Sequence, residues 1–228
     1  MPVFQLGEET QYFPPVHLSE PNGLLAVGGD LSSERLLTAY KTGIFPWFAE
    51  LEPILWWSPD PRCLLFPNKF HVSKSLKQVI RSNKFIVKFD TCFKDVITSC
   101  SKVERKEGDG TWILQDMIEA YTNLYHQGYA HSVEVFLENQ LVGGLYGISL
   151  GACFFGESMF HTHTDASKIA LYSLSQKLLE WNFHFIDCQL PTPHLLSLGA
   201  EEITRKKYLE LLKKAIKTES KRGVWTYL

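Results

Sequence analysis

Hydrophobic positions recur at three- and four-residue intervals in six segments of the chain, a spacing that predicts amphipathic helices. Ser32 or Ser33, and later Ser73, stand where helix N-caps are expected, and Gly43 and Gly128 follow the ends of two segments. The predicted helices cover residues 33–42, 73–82, 93–101, 112–127, 165–181 and 205–217.

Shorter apolar or alternating runs between these segments predict β-strands. The predicted strands cover residues 62–66, 85–89, 131–138, 141–148, 152–157 and 183–188, with turns at 138–140 and 150–151. Residues 1–62 contain eight of the 11 prolines, and their pattern indicates short strands and turns around one helix. We therefore predict an α/β (α+β) protein with a small N-terminal domain, residues 1–62, and a larger domain, residues 63–228, whose mixed sheet is flanked by helices.

Composition narrows the function classes. The chain has 228 residues, of which 45% are hydrophobic, and its five cysteines are widely spaced without a C-x-x-C pair. This pattern disfavours a disulfide framework or a zinc site and favours a reducing, cytoplasmic location. We find neither a signal peptide at the N-terminus nor an apolar run of the ~20 residues that would span a bilayer, and we expect no membrane partner.

Charge is unevenly distributed along the chain. The net charge is only -2, but residues 68–106 contain ten Lys/Arg against three Asp/Glu, and residues 204–222 contain eight against two. Such segregation can give a nearly neutral protein a positive face that attracts a polyanion. The alternative is a pair of solvated helices with exposed lysines, and charge alone leaves both interpretations open.

Three predicted strands carry residues that could form a site. Glu157 follows two aromatic residues, so its carboxylate is expected to be partly desolvated and to need a partner; Lys168 is one candidate. Asp187 interrupts an apolar strand, which either presents it to a cleft or makes it a structural carboxylate. Three glycines, at positions 143, 144 and 147, indicate a bulge or close contact with a ligand.

Several familiar chemistries lack their sequence patterns. Ser158 has no G-x-S-x-G setting, and the chain has neither a P-loop nor a G-x-G-x-x-G loop. His161 and His163 lack further ligands at a recognisable spacing, so we predict no metal. Cys188 lies in an apolar strand, where a core position is favoured over a nucleophile.

Eight sequence blocks together resemble the leucyl/phenylalanyl-tRNA–protein transferase family. The blocks occur in the family's order across about residues 13–212. They are LLAVGGDL at 24–31, GIFPWF at 43–48, WWSPDPR at 56–62, GTWI at 110–113, HSVE at 131–134, GESMF at 156–160, ASK at 166–168 and IDCQ at 186–189.

The resemblance implies a small N-terminal domain joined to a GNAT-like acyltransferase domain in the bacterial cytoplasm. The implied reaction transfers Leu or Phe from aminoacyl-tRNA to proteins beginning with Arg or Lys, marking them for degradation by the N-degron pathway. No cofactor, metal or DNA is implied. The Q/R-x-x-G-x-G/A loop that binds acetyl-CoA in ordinary GNAT proteins is absent from the sequence, which agrees with a different donor.

The resemblance also implies roles for individual residues. Asp187 and Gln189 would carry the transfer step, with Asp187 drawing off a proton through a hydrogen-bond relay, and Glu157 would bind the basic N-terminus of the acceptor. Trp47 and Trp112 would stack on the tRNA 3′ adenosine, although composition alone favours core packing for both. The donor side chain would enter an apolar pocket formed by Leu145, Phe154 and Leu171.

Four positions depart from the family pattern. His161-Thr162 stand where a Ser-Arg pair is usual, Leu145 replaces an expected Met, and Asp165 replaces an Asn. These departures bear on donor preference and on one substrate contact.

Overall fold

The computed structural model describes residues 3–7, 9, 11–103 and 113–225. The helices within this part of the chain are α1 (Ser33–Lys41), α2 (Lys74–Arg81), α3 (Phe93–Ser101), α4 (Gln115–His126), α5 (Ala166–Glu180), α6 (Pro193–Ser197) and α7 (Arg205–Ala215). The six predicted helices are confirmed to within three residues at each described end. Trp112, where the fourth was expected to begin, lies outside the described residues.

Side-chain caps explain where several helices begin. Ser32 accepts a hydrogen bond from the backbone N–H of Arg35, and Ser73 accepts one from that of Leu76. Each bond satisfies one of the N–H groups that the first helical turn leaves without a partner. Gly43 follows Thr42, the C-cap of α1, and has φ 82°, a conformation that glycine adopts without steric cost.

The strands form two sheets. The smaller sheet contains β1 (Phe4–Leu6), β2 (Leu24–Gly28), β3 (Phe45–Pro46) and β4 (Leu55–Trp57), in the order β1-β2-β4-β3. The larger sheet contains β5 (Arg62–Leu65), β6 (Ile86–Phe89), β7 (Ala130–Leu137), β8 (Gln140–Leu150), β9 (Cys153–His161), β10 (Phe185–Gln189) and β11 (Glu201–Ile203). Its order is β11-β5-β10-β9-β8-β7-β6.

The larger sheet is mixed, as predicted. Within it β9 and β10 pair in parallel, whereas the other neighbouring strands pair antiparallel. Apolar side chains cover both of its faces. One core joins the sheet to α3, α4, α7 and the smaller sheet, and a second core joins it to α2 and α5. The predicted fold class, a mixed sheet flanked by helices, is confirmed.

One strand prediction was wrong. The strand expected to end at Glu157 continues to His161, because β9 remains paired with β8 beyond that point. Gly147 pairs with Gly156 and Tyr146 pairs with Ser158, so Glu157 is an extra residue of β9 that faces no residue of β8 in the strand register. This β-bulge accommodates a carboxylate inside a long strand without ending it.

Gly147, opposite the bulge, is required by packing. A Cβ at this position would lie 2.1 Å from the carbonyl oxygen of Phe155, far closer than two such atoms can approach. The sequence predicted a bulge or close contact with a ligand in this strand. The bulge is present opposite Gly147, and the close contact there is with the backbone of β9.

Candidate active site

The larger sheet opens between β9 and β10, and Glu157 and Gln189 lie on the two sides of the opening. Phe155 and Asp187 form the last parallel pair between β9 and β10. After this pair the two strands separate, because β9 stays paired with β8 and β10 stays paired with β5. Gln189 Nε2 donates a 3.1 Å hydrogen bond to Glu157 Oε1 across the gap. The two motifs selected from the sequence therefore meet in space.

Gln189 has an uncommon backbone conformation. Its φ of 57° lies in the left-handed region, which typically costs a non-glycine residue about 1–3 kcal/mol. The backbone N–H of Gln189 donates to Asp187 Oδ1 over 3.0 Å, and that of Leu190 donates to the carbonyl of Cys188 over 2.7 Å. These bonds hold the turn that directs the Gln189 side chain towards Glu157.

Asp187 is fully buried and has a complete set of hydrogen-bond donors. Arg62 donates Nε to Oδ1 over 2.9 Å and Nη2 to Oδ2 over 2.8 Å, and the Tyr208 hydroxyl donates to Oδ2 over 2.7 Å. With the Gln189 N–H, four donors occupy about the four acceptor positions of a carboxylate. Asp187 is therefore placed to fix the positions of Arg62, Tyr208 and the turn at Gln189.

Arg62 is the buried counterion of this centre. Its guanidinium also donates to the carbonyl of Gly43 over 3.3 Å and lies 4.8 Å from the ring centroid of Phe45. Burial on its own would lower the pKa of Arg62, but the Asp187 carboxylate outweighs it and raises that pKa. Arg62 and its ion pair therefore connect Gly43 and β3 to the end of β10.

Two buried tyrosines lie behind Glu157. The Tyr121 hydroxyl of α4 donates to Glu157 Oε2 over 3.0 Å, and the Tyr40 hydroxyl of α1 forms a very short hydrogen bond with that of Tyr121. Burial raises the pKa of both tyrosines well above the ordinary value. Both hydroxyls therefore stay protonated at neutral pH and act as donors.

Glu157 is half-buried, and its acidity is shifted towards neutrality. Burial raises its pKa to about 7, although the hydroxyls of Tyr40 and Tyr121 act in the opposite direction. Asp187 raises this pKa further, and Arg62 lowers it. A carboxyl group with such a pKa can exchange a proton under physiological conditions.

Comparison with known sequences decides the family. The family described as leucyl/phenylalanyl-tRNA protein transferase matches residues 64–213, and its N-terminal domain matches residues 29–60. The chain belongs to the leucyl/phenylalanyl-tRNA protein transferase family. It is therefore an aminoacyl-transfer enzyme.

Relatives in this family cover nearly all of the chain. The leucyl/phenylalanyl-tRNA–protein transferase of Syntrophobacter fumaroxidans is 57% identical over 93% of this chain and 90% of its own length. The enzyme of the same name from Desulfatibacillum aliphaticivorans is 52% identical over 99% of this chain and 97% of its own length.

Solved structures are similar at a greater distance. A soil-metagenome aminoglycoside acetyltransferase covers 64% of this chain and 96% of its own, with 16% identity and a TM-score of 0.37. A GCN5-related N-acetyltransferase-like protein from Streptococcus suis covers 71% of this chain and 60% of its own, with 14% identity and a TM-score of 0.36.

The residues predicted to bind the aminoacyl-tRNA end lie in different environments of this transferase. Trp47 is 41% exposed; its ring lies 5.7 Å from that of Trp57, whose Nε1 donates to the Trp47 carbonyl over 2.6 Å. Leu145, Phe154 and Leu171 are all buried in the core beside α5. Trp47 is thus accessible to a base, whereas the other three side chains are packed together inside the protein.

One departure from the family pattern, Asp165, has a local explanation. Asp165 has φ 69°, a conformation that Asp and Asn tolerate better than most residues, so an acidic residue fits where the family has Asn. Asp165 also forms a 2.7 Å ion pair with Lys168. The sequence had suggested Lys168 as a partner of Glu157. His161 Nδ1 lies 3.4 Å from Ser167 Oγ.

Sequence reasoning missed four residues of the centre: Arg62, Tyr208, Tyr40 and Tyr121. Arg62 opens an apolar strand, RCLLF, and an arginine in that position could have indicated a buried ion pair. The tyrosines carried no comparable signal, because a hydroxyl at an otherwise apolar helix position does not alter the helical pattern.

Proposed function

We propose that this chain transfers Leu or Phe from aminoacyl-tRNA to proteins whose N-terminal residue is Arg or Lys, in the cytoplasm, as a step in N-degron degradation. The observation that carries the proposal is the Glu157–Gln189 hydrogen bond across the opening between β9 and β10. It places an ionisable carboxylate and an amide together where two interior strands of the sheet separate, in a chain of this family.

The acceptor brings positive charge to the site. Its N-terminal Arg or Lys side chain, together with its α-ammonium group, is attracted to a carboxylate in a partly desolvated position. Glu157 is the carboxylate on the opening. Asp187 is buried and already neutralised by Arg62. We therefore assign acceptor binding to Glu157.

Gln189 has one side-chain atom to offer the attacking amine. Its Nε2 already donates to Glu157, so the amide oxygen is the atom that can accept an N–H from the acceptor's α-amine. The amine nitrogen attacks the ester carbonyl carbon, and the bond from that carbon to the tRNA ribose oxygen breaks. The amine loses one proton in this step, and the leaving oxygen gains one.

Proton transfer out of the acceptor fits Glu157. Before the attack, the α-ammonium passes one proton to the Glu157 carboxylate, because its pKa of about 7.7–8.0 is close to the value of about 7 for Glu157. Glu157 releases this proton to solvent after the transfer. The second proton, which the amine loses as the amide forms, goes to the leaving ribose oxygen. Asp187 and Arg62 then serve as positioning residues that hold the left-handed turn at Gln189. The ester is already activated, so the chemistry needs alignment and charge stabilisation rather than an energy source.

The donor is held on the other side of the centre. Trp47 offers an exposed ring on which the tRNA 3′ adenosine can stack, an interaction worth about 1–3 kcal/mol. Trp112 keeps the same proposed role. The donor side chain would reach the apolar group formed by Leu145, Phe154 and Leu171, which must separate slightly to admit it. Exposed lysines on α2 and α7 offer phosphate contacts.

The test uses purified protein, Leu-tRNA carrying radiolabelled leucine, and a peptide that begins with Arg. We expect labelled peptide to form, and a matched peptide beginning with Glu to remain unlabelled. Acetylation of the peptide by acetyl-CoA would instead indicate an N-acyltransferase with another carrier. Binding of Leu-tRNA without any labelled peptide, at all enzyme concentrations, would indicate a non-catalytic binder and refute the proposal.

A further inference from the structure

We infer that Tyr40 and Tyr121 are positioning residues that keep Glu157 in its ionised, acceptor-binding form. The inference rests on the proposed function, in which Glu157 receives the cationic end of the acceptor. It assigns to the N-terminal part of the chain, through Tyr40 of α1, a direct part in organising the site.

The direction of the hydrogen bonds carries the argument. An ionised carboxylate can only accept, and Glu157 receives Tyr121 OH at Oε2 and Gln189 Nε2 at Oε1. The single proton of Tyr121 is used in this bond, so the short bond between the two hydroxyls is donated by Tyr40. The whole chain therefore donates towards Glu157.

A protonated Glu157 would reverse this order. Its own O–H would have to be donated to Tyr121 or to an outside group, and the two hydroxyls would have to turn accordingly. Both tyrosines are fully buried, so water cannot compensate for a donor that loses its acceptor. The hydroxyl donors therefore favour the carboxylate, in opposition to burial, which favours the acid.

The charged and titratable groups around Glu157 support this reading. Tyr40 and Tyr121 each lower the pKa of Glu157, and Arg62 of β5 does so as well, whereas burial and Asp187 of β10 raise it. Arg62 is neutralised by its ion pair with Asp187. The two hydroxyls are therefore the contacts whose removal changes Glu157 without breaking that ion pair.

The test measures the pH dependence of Tyr121→Phe and Tyr40→Phe. Tyr121→Phe removes a hydrogen bond to the ionised carboxylate, and Tyr40→Phe removes the donor behind it, so each change should raise the pH at which Glu157 ionises by about one unit. At about pH 6, kcat/KM for the Arg peptide should fall roughly tenfold relative to wild type, and at about pH 9 it should be restored. The acceptor amine titrates identically in every protein, so the ratio to wild type isolates Glu157.

Tyr125→Phe is the matched control. Tyr125 lies on the same helix, and its hydroxyl donates to the Asp90 carbonyl over 3.0 Å, away from Glu157. This variant should keep the wild-type pH profile. A loss of rate that is equal at every pH in Tyr121→Phe and Tyr40→Phe would show a merely structural role and overturn the inference.

A second readout is independent of transfer. Infrared difference spectroscopy can titrate the Glu157 carboxyl group, which is assigned by the signal lost in Glu157→Gln. We expect its ionisation to move to higher pH in both tyrosine variants and to stay unchanged in Tyr125→Phe. An unchanged titration in Tyr40→Phe and Tyr121→Phe overturns the inference even if the enzyme transfers leucine. A shifted titration in a protein that transfers nothing supports the tyrosine effect and refutes the proposed function instead.

Discussion

Asp187→Asn isolates the contribution of the buried ion pair. The substitution keeps the size of the side chain but removes the charge that compensates Arg62, which is fully buried. It also turns an NH₂ group towards a site that already contains four donors, from Arg62, Tyr208 and the Gln189 backbone. Breaking a buried pair by removing one partner typically costs about 3–5 kcal/mol.

That cost is large against the stability of an ordinary domain, about 5–15 kcal/mol. We expect Asp187→Asn to lower the free energy of unfolding by about 3–5 kcal/mol, measured by urea denaturation at neutral pH. Arg62→Met should lower it by a similar amount, because it leaves the Asp187 carboxylate buried without its counterion.

The double variant distinguishes a coupled pair from two independent contributions. Asp187→Leu combined with Arg62→Met replaces both charges with apolar groups, an exchange that is often neutral or stabilising. We expect its loss of stability to be smaller than the sum of the losses in Asp187→Leu alone and Arg62→Met alone by at least about 2 kcal/mol, although transfer activity is lost. Lys69→Met serves as the control, since Lys69 and Glu201 form an exposed pair at 3.0 Å worth at most about 1 kcal/mol.

Two outcomes would refute this reasoning. If Asp187→Asn unfolds within about 1 kcal/mol of wild type, the carboxylate is not the essential counterion of Arg62. If the single losses simply add in the double variant, the two side chains act separately. A loss of activity in Asp187→Ala therefore has to be measured alongside stability before it is assigned to chemistry.

Three further predictions follow from named contacts. Folding raises the pKa of Glu157 from 4.5 to about 7, so this group stabilises the folded state fully below pH 4.5. Its contribution to the free energy of unfolding should decline by at most about 3 kcal/mol as the pH rises through 7. Urea titrations at several pH values should show this decline in wild type and not in Glu157→Gln. In Gly147→Ala the new Cβ would lie 2.1 Å from a carbonyl oxygen of β9, so the free energy of unfolding should fall by about 1–3 kcal/mol or more in urea denaturation. In Gly156→Ala the nearest atoms lie at 3.7 Å, so this control should unfold nearly as wild type does. Replacing Lys74 and Lys77 together with alanine should reduce the salt dependence of tRNA binding by about two units of slope, and an unchanged slope would place the tRNA elsewhere.

Helices and the main strands could be predicted from the sequence because their signals are local. Periodicity and serine N-caps located α1 and α2 to within one residue at each end. α6 and β11 were missed, since segments of five and three residues are too short to show a period. The end of β9 was misplaced because a bulge looks, in the sequence, like a polar residue that terminates a strand.

The site was only partly predictable, for a different reason. Glu157 and Asp187 were selected because they follow or interrupt an apolar strand, and Gln189 was added by the family resemblance. Arg62 reaches Asp187 across 125 positions of the chain, and Tyr121 reaches Glu157 across 36. Such pairs depend on the order of strands in the sheet, which residue patterns do not specify. These pairs underlie the roles that we propose, because four donors already contact Asp187 and two contact Glu157.

The predicted domain boundary at residue 62 does not separate the residues of the proposed site. Tyr40 and the Gly43 carbonyl come from the N-terminal part, and Arg62 lies at its junction with the larger sheet. Each contacts a residue that sets the position or charge of Glu157 or Asp187. Because these contacts are buried, loosening the N-terminal part would expose the ion pair to water and release the hydroxyls from Glu157. α1 and the residue Gly43 that follows it therefore contribute contacts to the proposed site, and we expect a change in α1 to alter acceptor binding.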